Sequence, residues 1–333
     1  MRLLLTGHKG YIGTALEPLL LDQGWQVTGV DSDLYRNCTF GSYQCRIPEI
    51  IKDFRDLEEK ELEGFDVLIH LAGLSNDPLG DIDPDLTFDI NHRATVELAS
   101  KARHAGVGRF IFSSTCSTYG AGAREILDEA SPLRPVTPYG LSKQLAEQDL
   151  ASLADDDFSP VMMRSGTAYG VSPRIRFDLV LNNLVSWACA TGRVHLKSDG
   201  SAWRPLVHIE DISRAFIAAV KAPRKRVHKQ AFNVGRDSEN YRVRDLARVV
   251  RDAVPGSQLE IAEKAFTDTR NYRVSFAKIR DMLPDYAPTW KIDAGAAELY
   301  AAVRNSGLTL DEFEGPRYQR VAHIRQLMAG GKL

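Results

Sequence analysis

Leu3-Leu4-Leu5-Thr6-Gly7-His8-Lys9-Gly10-Tyr11-Ile12-Gly13 is the stretch on which the fold of this chain turns. An apolar run meets three glycines spaced three apart, and an apolar-periodic segment follows: a buried strand, a tight turn and a helix. Gly7 suits the turn itself, Gly10 lets backbone approach a pyrophosphate, and Gly13 allows close packing of helix on strand. Tyr11 and Ile12 lie in the same turn, and the amides that open the helix face the phosphates. Spaced glycines alone are common. Their context is what counts here, because a second strand, Gln26–Asp31, closes the unit within about thirty residues.

Asp31 ends that second strand. Its carboxylate is placed to accept from both hydroxyls of an adenosine ribose and to repel a 2′-phosphate, which favours NAD over NADP. Lys9 and Arg36 are nearby cations that oppose the preference. Asp53 and Phe54 suit the edge and the face of an adenine. Leu71-Ala72-Gly73 ends a further apolar strand, where small residues let a cofactor lie against backbone.

Working outward, apolar runs alternate with amphipathic segments, the pattern of an α/β doubly wound parallel sheet. Strands are expected at Arg2–Thr6, Gln26–Asp31, Val67–Leu71, Arg109–Ser114 and Pro160–Arg164, with helices near Tyr11–Gln23, Phe88–His104 and Tyr139–Leu153. Pro18 is awkward inside the first helix, because it lacks the amide donor, and Gly24 is placed to end that helix. After Gly170 the texture changes to short helices and Pro- and Gly-marked turns. Residues 1–170 are read as a dinucleotide-binding domain, with 205–222 returning to it, and 171–333 as a smaller substrate-binding lobe.

A second constellation is Thr137-Pro138-Tyr139-Gly140-Leu141-Ser142-Lys143. Tyr139 and Lys143 are one helical turn apart on one face. A phenol has a pKa of about 10, and an ammonium one turn away favours its phenolate, making it a proton acceptor near neutrality.

Totals narrow the options. The 333 residues carry 44% hydrophobic and 26% charged residues, ordinary for a globular protein with ample core. A formal net charge of -2 provides no basic field for nucleic acid. No apolar run reaches the ~18 residues of a membrane span, and Met1-Arg2 leads directly into the first strand, so no membrane association and a cytoplasmic location are expected. Cys38, Cys45, Cys116 and Cys189 lack metal-ligand spacing and read as reduced thiols; no metal is expected. Asn37-Cys38-Thr39 matches a glycosylation sequon without a secretory signal to give it meaning.

Together these motifs resemble an extended short-chain dehydrogenase/reductase of the nucleotide-sugar epimerase/dehydratase family. The resemblance covers residues 1 to about 280. It rests on Thr6-Gly7-x-x-Gly10-x-x-Gly13, Asp31, Asp53-Phe54, Leu71-Ala72-Gly73, Asn91, Ser113-Ser114-Thr115, Tyr139-x-x-x-Lys143 and Arg204-x-x-x-His208-x-x-Asp211. It implies a Rossmann domain holding NAD, with Thr115 as the catalytic hydroxyl, Tyr139 as acid/base and Lys143 on the nicotinamide ribose. Asn91 and Ser113 then belong to the cofactor side. Ser117, Thr167, Asn182, Asn183, Leu184, Arg204 and Arg270 belong to a nucleotide-diphosphate sugar, with Arg204 gripping the diphosphate. Asp268-Thr269-Arg270 matches only loosely, because Ala265 stands where an arginine is usual. The resemblance also implies a homodimer built on the Phe88–His104 and Tyr139–Leu153 helices.

Within such a family, Thr115 is followed by Cys116 and Ser117, where dehydratases and decarboxylases resemble one another in placing acidic residues; Glu129 is a possible substitute. What remains is an epimerase, in which Tyr139 deprotonates a hydroxyl while hydride passes to NAD and returns on the other face. A ketoreductase or dehydrogenase using exchangeable NAD(P)H is the alternative, a 4,6-dehydratase ranks lower, and a non-catalytic NAD-sensing protein is the non-enzyme alternative. Thr167 replaces an Asn common in epimerases and Gly166 a common aromatic, so the sugar pocket is expected to differ. His70 reads as a core histidine, and Arg317–Lys332 as a solvated or subunit-facing helix.

Overall fold

The computed structural model describes residues 1–75, 83–266 and 270–330. Its strands in chain order are β1 (Arg2–Thr6), β2 (Gln26–Asp31), β3 (Glu49–Ile51), β4 (Val67–His70), β5 (Arg109–Thr115), β6 (Ala121–Leu127), β7 (Ser159–Ser165), β8 (Thr167–Tyr169), β9 (Arg193–Ser198), β10 (Trp203–His208), β11 (Gln230–Val234), β12 (Asn240–Arg242), β13 (Gln258–Phe266) and β14 (Asn271–Val274). Seven of them form one sheet in the order β11-β7-β5-β4-β1-β2-β3, and every neighbouring pair is parallel. The order reverses beside β1, so the carboxyl ends of β1 and β4 open a crevice at the switch point.

Strand alternation divides the core into two layers. Leu3 and Leu5 join Ile69, Ile111 and Phe216 on one face, and Leu4 joins Leu68, Phe110, Leu98 and Leu150 on the other. Helices Gly13–Leu21 and Ile209–Lys221 cover the first face; Ala94–His104 and Pro138–Ser152 cover the second. Because both faces are covered, the central strands read as unbroken apolar runs. A separate cluster, including Phe177, Leu181, Val185, Leu246, Ala296, Leu299 and Phe313, gathers residues from the second half of the chain around Tyr11 and Phe40.

Three expectations change. The single helix expected over Phe88–His104 is a short helix Pro84–Phe88, a π-helical turn Asp89–Arg93 and a helix Ala94–His104. Asp83 caps its start by accepting from the Leu86 amide at 3.0 Å, and Pro84 fills the first helical position, where its missing amide costs nothing. Pro18 lies within the Gly13–Leu21 helix without ending it, and the Asp22 amide still bonds the Pro18 carbonyl at 3.0 Å. Of 205–222, Val207 and the Ile209–Lys221 helix pack into the main-sheet core, but β10 hydrogen-bonds with β8 and β12, while β11 joins the main sheet. Among the described residues no helix is long and apolar enough to cross a membrane, and all four cysteines are free.

Candidate active site

The crevice at the switch point is lined by the glycine turn, the ends of β1, β2 and β4, and residues 52–54 and 71–75. Gly7 has φ +77°, and a Cβ there would stand 2.7 Å from the Ala72 amide nitrogen. A Cβ on Gly13 would stand 2.3 Å from the Gly7 carbonyl oxygen, a distance no real contact allows. Neither glycine has room for a side chain, so the turn packs tightly on the ends of β1 and β4 and leaves bare backbone at the crevice, which fits a pyrophosphate. Tyr11 and Ile12 line the same crevice, although the Tyr11 hydroxyl is turned away to the Gly170 carbonyl at 2.8 Å. Asp31 accepts from the amides of Lys9 (3.0 Å) and Asp33 (2.8 Å) at the crevice's far end. Burial raises its carboxyl above the usual range, against those amides and the nearby His8. Asp53 caps a short turn and pairs with Arg55 (2.9 Å), and Phe54 packs edge-on to the His70 ring at 4.9 Å. These residues fit NAD.

Leu71, Ala72 and Gly73 form the crevice floor. Asn91 holds this loop from behind: its Oδ1 accepts from the Leu74 amide (2.8 Å) and its amide donates to the Leu74 carbonyl (2.9 Å). Fully buried, Asn91 holds the Leu71–Ser75 loop through Leu74, with its Oδ1 2.7 Å from where a Gly73 Cβ would stand.

Thr137 caps the Pro138–Ser152 helix by accepting from the Gly140 amide at 3.1 Å, which places Tyr139 in the first turn and Lys143 one turn on. The helix start abuts the Thr115 turn so closely that a Cβ on Gly140 would come within 3.2 Å of the Ser117 carbonyl oxygen. Thr115 ends β5, and its Oγ1 accepts from the Ser117 amide at 3.1 Å. Lys143 is buried, donates to the Ser113 carbonyl at 2.9 Å and sits 4.5 Å over the Phe112 ring. Burial pushes its ammonium down to about 7, opposed by Glu147. Its Nζ also lies beside the cofactor loop, 3.9 Å from where a Gly73 Cβ would be. Lys143 thus links the Ser113–Ser117 strand end and the Tyr139 turn to Gly73, which lines the crevice; Thr115, Ser117, Tyr139 and Lys143 lie beyond its lining.

Beneath this strand end lies a buried polar network that sequence reading missed. Glu147 accepts from Ser114 Oγ and pairs with Arg164 (2.6 Å), which also donates to the Tyr119 hydroxyl at 3.2 Å. Glu147 lies one turn beyond Lys143, so its helical spacing was a usable signal. Arg176 was also missed. It is buried at the crevice, donates to the Ser75 carbonyl at 3.0 Å, pairs with Asp178 at 2.6 Å and lies within electrostatic reach of Tyr139.

The expected substrate residues divide. Ser117 shares a hydrogen bond with Tyr272, and Arg204 lies 5.7 Å over that ring. Arg204 donates to the Trp203 (2.7 Å) and Arg270 carbonyls, tying β10 to the residue before β14. Thr167 is half-buried on β8, paired with Leu206. Asn182 is fully buried, its amide engaged with the Gly170 amide, the Tyr11 hydroxyl and the Arg176 carbonyl. Leu184 belongs to the core. Neither side chain is placed to meet a nucleotide base, because both face inward from the Val180–Thr191 helix; Asn183 is half-buried and donates to the Phe177 carbonyl at 2.8 Å. Asp268 and Thr269 lie outside the described residues.

His70 is buried between the hydroxyls of Thr6 (2.7 Å) and Thr95 (3.0 Å), and burial pushes it down to about 3, leaving it neutral. His208 and Asp211 are structural: His208 stacks on Trp290 at 3.8 Å and Asp211 accepts from the Thr289 and Trp290 amides. His8, Cys45 and Glu49 bring ligand-type atoms within 4.8 Å of one another, but Glu49 pairs there with the Lys9 ammonium at 2.9 Å.

A bare-backbone glycine turn, a carboxylate closing the second strand of the crevice and the Thr115, Tyr139 and Lys143 side chains beyond one parallel sheet accord with an NAD-binding enzyme of the extended short-chain dehydrogenase/reductase type. The chain belongs to the NAD-dependent epimerase/dehydratase family, whose description matches residues 3–235. It is 28% identical over 318 residues to a UDP-glucose 4-epimerase of Mycolicibacterium smegmatis, covering 92% of this chain and 99% of that one. Among solved structures it is similar to the NAD-dependent NDP-hexosamine 5,6-dehydratase TunA of tunicamycin biosynthesis (TM-score 0.81, 23% identity, 91% of this chain and 98% of that one). It is also similar to MoeE5 in complex with UDP-glucose and NAD (TM-score 0.79, 25% identity, 92% and 100%).

Proposed function

We propose that this protein is an epimerase of nucleotide-diphosphate sugars. The observation that carries this choice within the family is the pair following Thr115. Cys116 is buried with its thiol on the Arg164 carbonyl (3.2 Å), and Ser117 is engaged by Tyr272, so neither position brings a carboxylate to the Thr115 hydroxyl. NAD, when bound, supplies the hydride acceptor and donor. Thr115 Oγ1 holds a sugar hydroxyl, and Tyr139 Oη takes its proton as the carbon is oxidised and returns it when the ketone is reduced from the opposite face. Lys143, fixed on the Ser113 carbonyl, provides the adjoining positive charge while protonated, and Glu147 with Arg164 holds the strand end beneath it. The relatives named UDP-glucose 4-epimerase and the UDP-glucose complex of MoeE5 support a nucleotide-sugar substrate.

A dehydratase reading has one observation in its favour. Burial raises the Glu129 carboxyl, which suits an acid, although its Oε1 accepts from the Asn233 amide at 2.7 Å. A panel of nucleotide sugars followed by NMR separates the readings. An inverted carbinol carbon with no added cofactor supports epimerisation. Dehydrated product, or turnover only with consumption of added NADH, refutes it.

We further propose a homodimer through the outer faces of the Ala94–His104 and Pro138–Ser152 helices, where Leu141 on the second helix and Leu86 just before the first are exposed. Light scattering at twice the chain mass supports it, and a monomer refutes it. Four free thiols agree with a cytoplasmic location.

A further inference from the structure

The last helix, Arg320–Ala329, lies beyond the residues that match the family, and it closes on the loop that follows β2. His323 Nε2 donates to the Leu34 carbonyl at 2.9 Å, and its ring lies 5.5 Å from that of Tyr35. Arg317 donates to the Thr39 carbonyl at 2.8 Å. Tyr318 and Phe313 pack with Phe40 and Phe177 in one core cluster, so this end of the chain is anchored on both sides of the contact. From within, Arg174 reaches the Tyr35 (2.6 Å) and Arg36 (2.9 Å) carbonyls of the same loop. The outcome is a stacked pair: the Arg320 guanidinium lies 4.1 Å over the Tyr35 ring, and both side chains line the crevice beside Asp31.

Resting on the assignment of this crevice to NAD, we propose that Arg320 and Tyr35 form the outer wall of its adenosine end, so that the Arg320–Ala329 helix holds the dinucleotide in place. A planar guanidinium stacked on a phenol ring offers a flat, charged edge to a purine nucleoside, a surface that recognises adenosine and has no use for nicotinamide. Retention of this kind suits an epimerase, which reuses one NAD in every turnover, better than an enzyme that exchanges its cofactor.

The test is calorimetry on the full chain, freed of endogenous nucleotide, with NAD, AMP and nicotinamide mononucleotide as probes, comparing wild type with Arg320→Ala and Arg320→Lys. The expected result is NAD and AMP weakened about tenfold in Arg320→Ala, within the range of one cation–π contact, with nicotinamide mononucleotide unchanged. Arg320→Lys, which keeps the charge but loses the plane, should fall between. Unchanged AMP and NAD affinity in Arg320→Ala overturns the proposal while the cofactor assignment stands. Equal weakening of both half-cofactors also overturns it, marking a general structural role. A wild-type protein that binds neither NAD nor AMP removes the cofactor assignment and the proposal together.

Discussion

Replacing Lys143 with Met should give a less active protein whose stability relative to wild type improves as pH falls from about 10.5 to about 7. Lys143 is buried, and its ammonium is pushed from an ordinary 10.5 down to about 7. The unfolded chain therefore binds a proton between roughly pH 7 and 10.5 that the folded chain refuses, and stability rises with pH across that window. At about 1.4 kcal/mol per unit, the lysine costs the apo fold about 4 kcal/mol at pH 7 and about 2 kcal/mol at pH 9. The Met variant escapes that cost, but it leaves the Ser113 carbonyl without its donor, at about 1–3 kcal/mol independent of pH. Absolute stability is thus a poor diagnostic, and the slope is a good one. Urea unfolding of cofactor-free wild type and variant at pH 7 and pH 9 should show the wild type gaining about 2 kcal/mol relative to the variant. Parallel pH dependences would refute the placement of a forced-neutral lysine beneath the active site, and with it the reading that Lys143 changes charge near the working pH.

Tyr139→Phe should lower turnover by at least about 10²-fold while calorimetry shows unchanged NAD affinity; retained activity would remove Tyr139 as the proton carrier. Asp31 should make NAD bind at least about tenfold more tightly than NADP, and its carboxyl, raised by burial, should lose that discrimination as pH falls through its titration. The reverse preference at neutral pH would overturn its role. Arg204→Ala leaves the Trp203 and Arg270 carbonyls without their shared donor, so it should cost about 1–3 kcal/mol of stability and raise the Michaelis constant for a nucleotide sugar well above any effect on NAD. Equal effects on both ligands would count against a substrate role for that side of the crevice.

What sequence alone made legible were features whose cause is local. β1 was read to the residue because a strand covered on both faces reads as a continuous apolar run, and β2 because its buried Val27 and Val30 sit between the helix-ending Gly24 and the closing Asp31. The glycine turn was legible because only a missing Cβ satisfies it. Two strands of the sheet were missed: β3 is only three residues long, and β11, Gln230-Ala231-Phe232-Asn233-Val234, carries two polar residues. One of these, Asn233, is fully buried, accepting from the Tyr119 hydroxyl and donating to the Ser275 carbonyl. The same ambiguity misled the reading of Asn182. A buried amide that satisfies its own neighbours looks, in one dimension, like an amide waiting for a ligand, since polarity is visible in sequence and partners are not. Arg320 is the opposite case. Its place in a basic closing segment suggested a solvated or subunit-facing helix, and nothing local distinguishes such an arginine from one that stacks on a tyrosine 285 positions earlier. The Tyr139–Lys143 spacing and the Thr115 strand end were readable because one helical turn and one strand define them. The adenosine wall was not, because it exists only once the two ends of the chain have met.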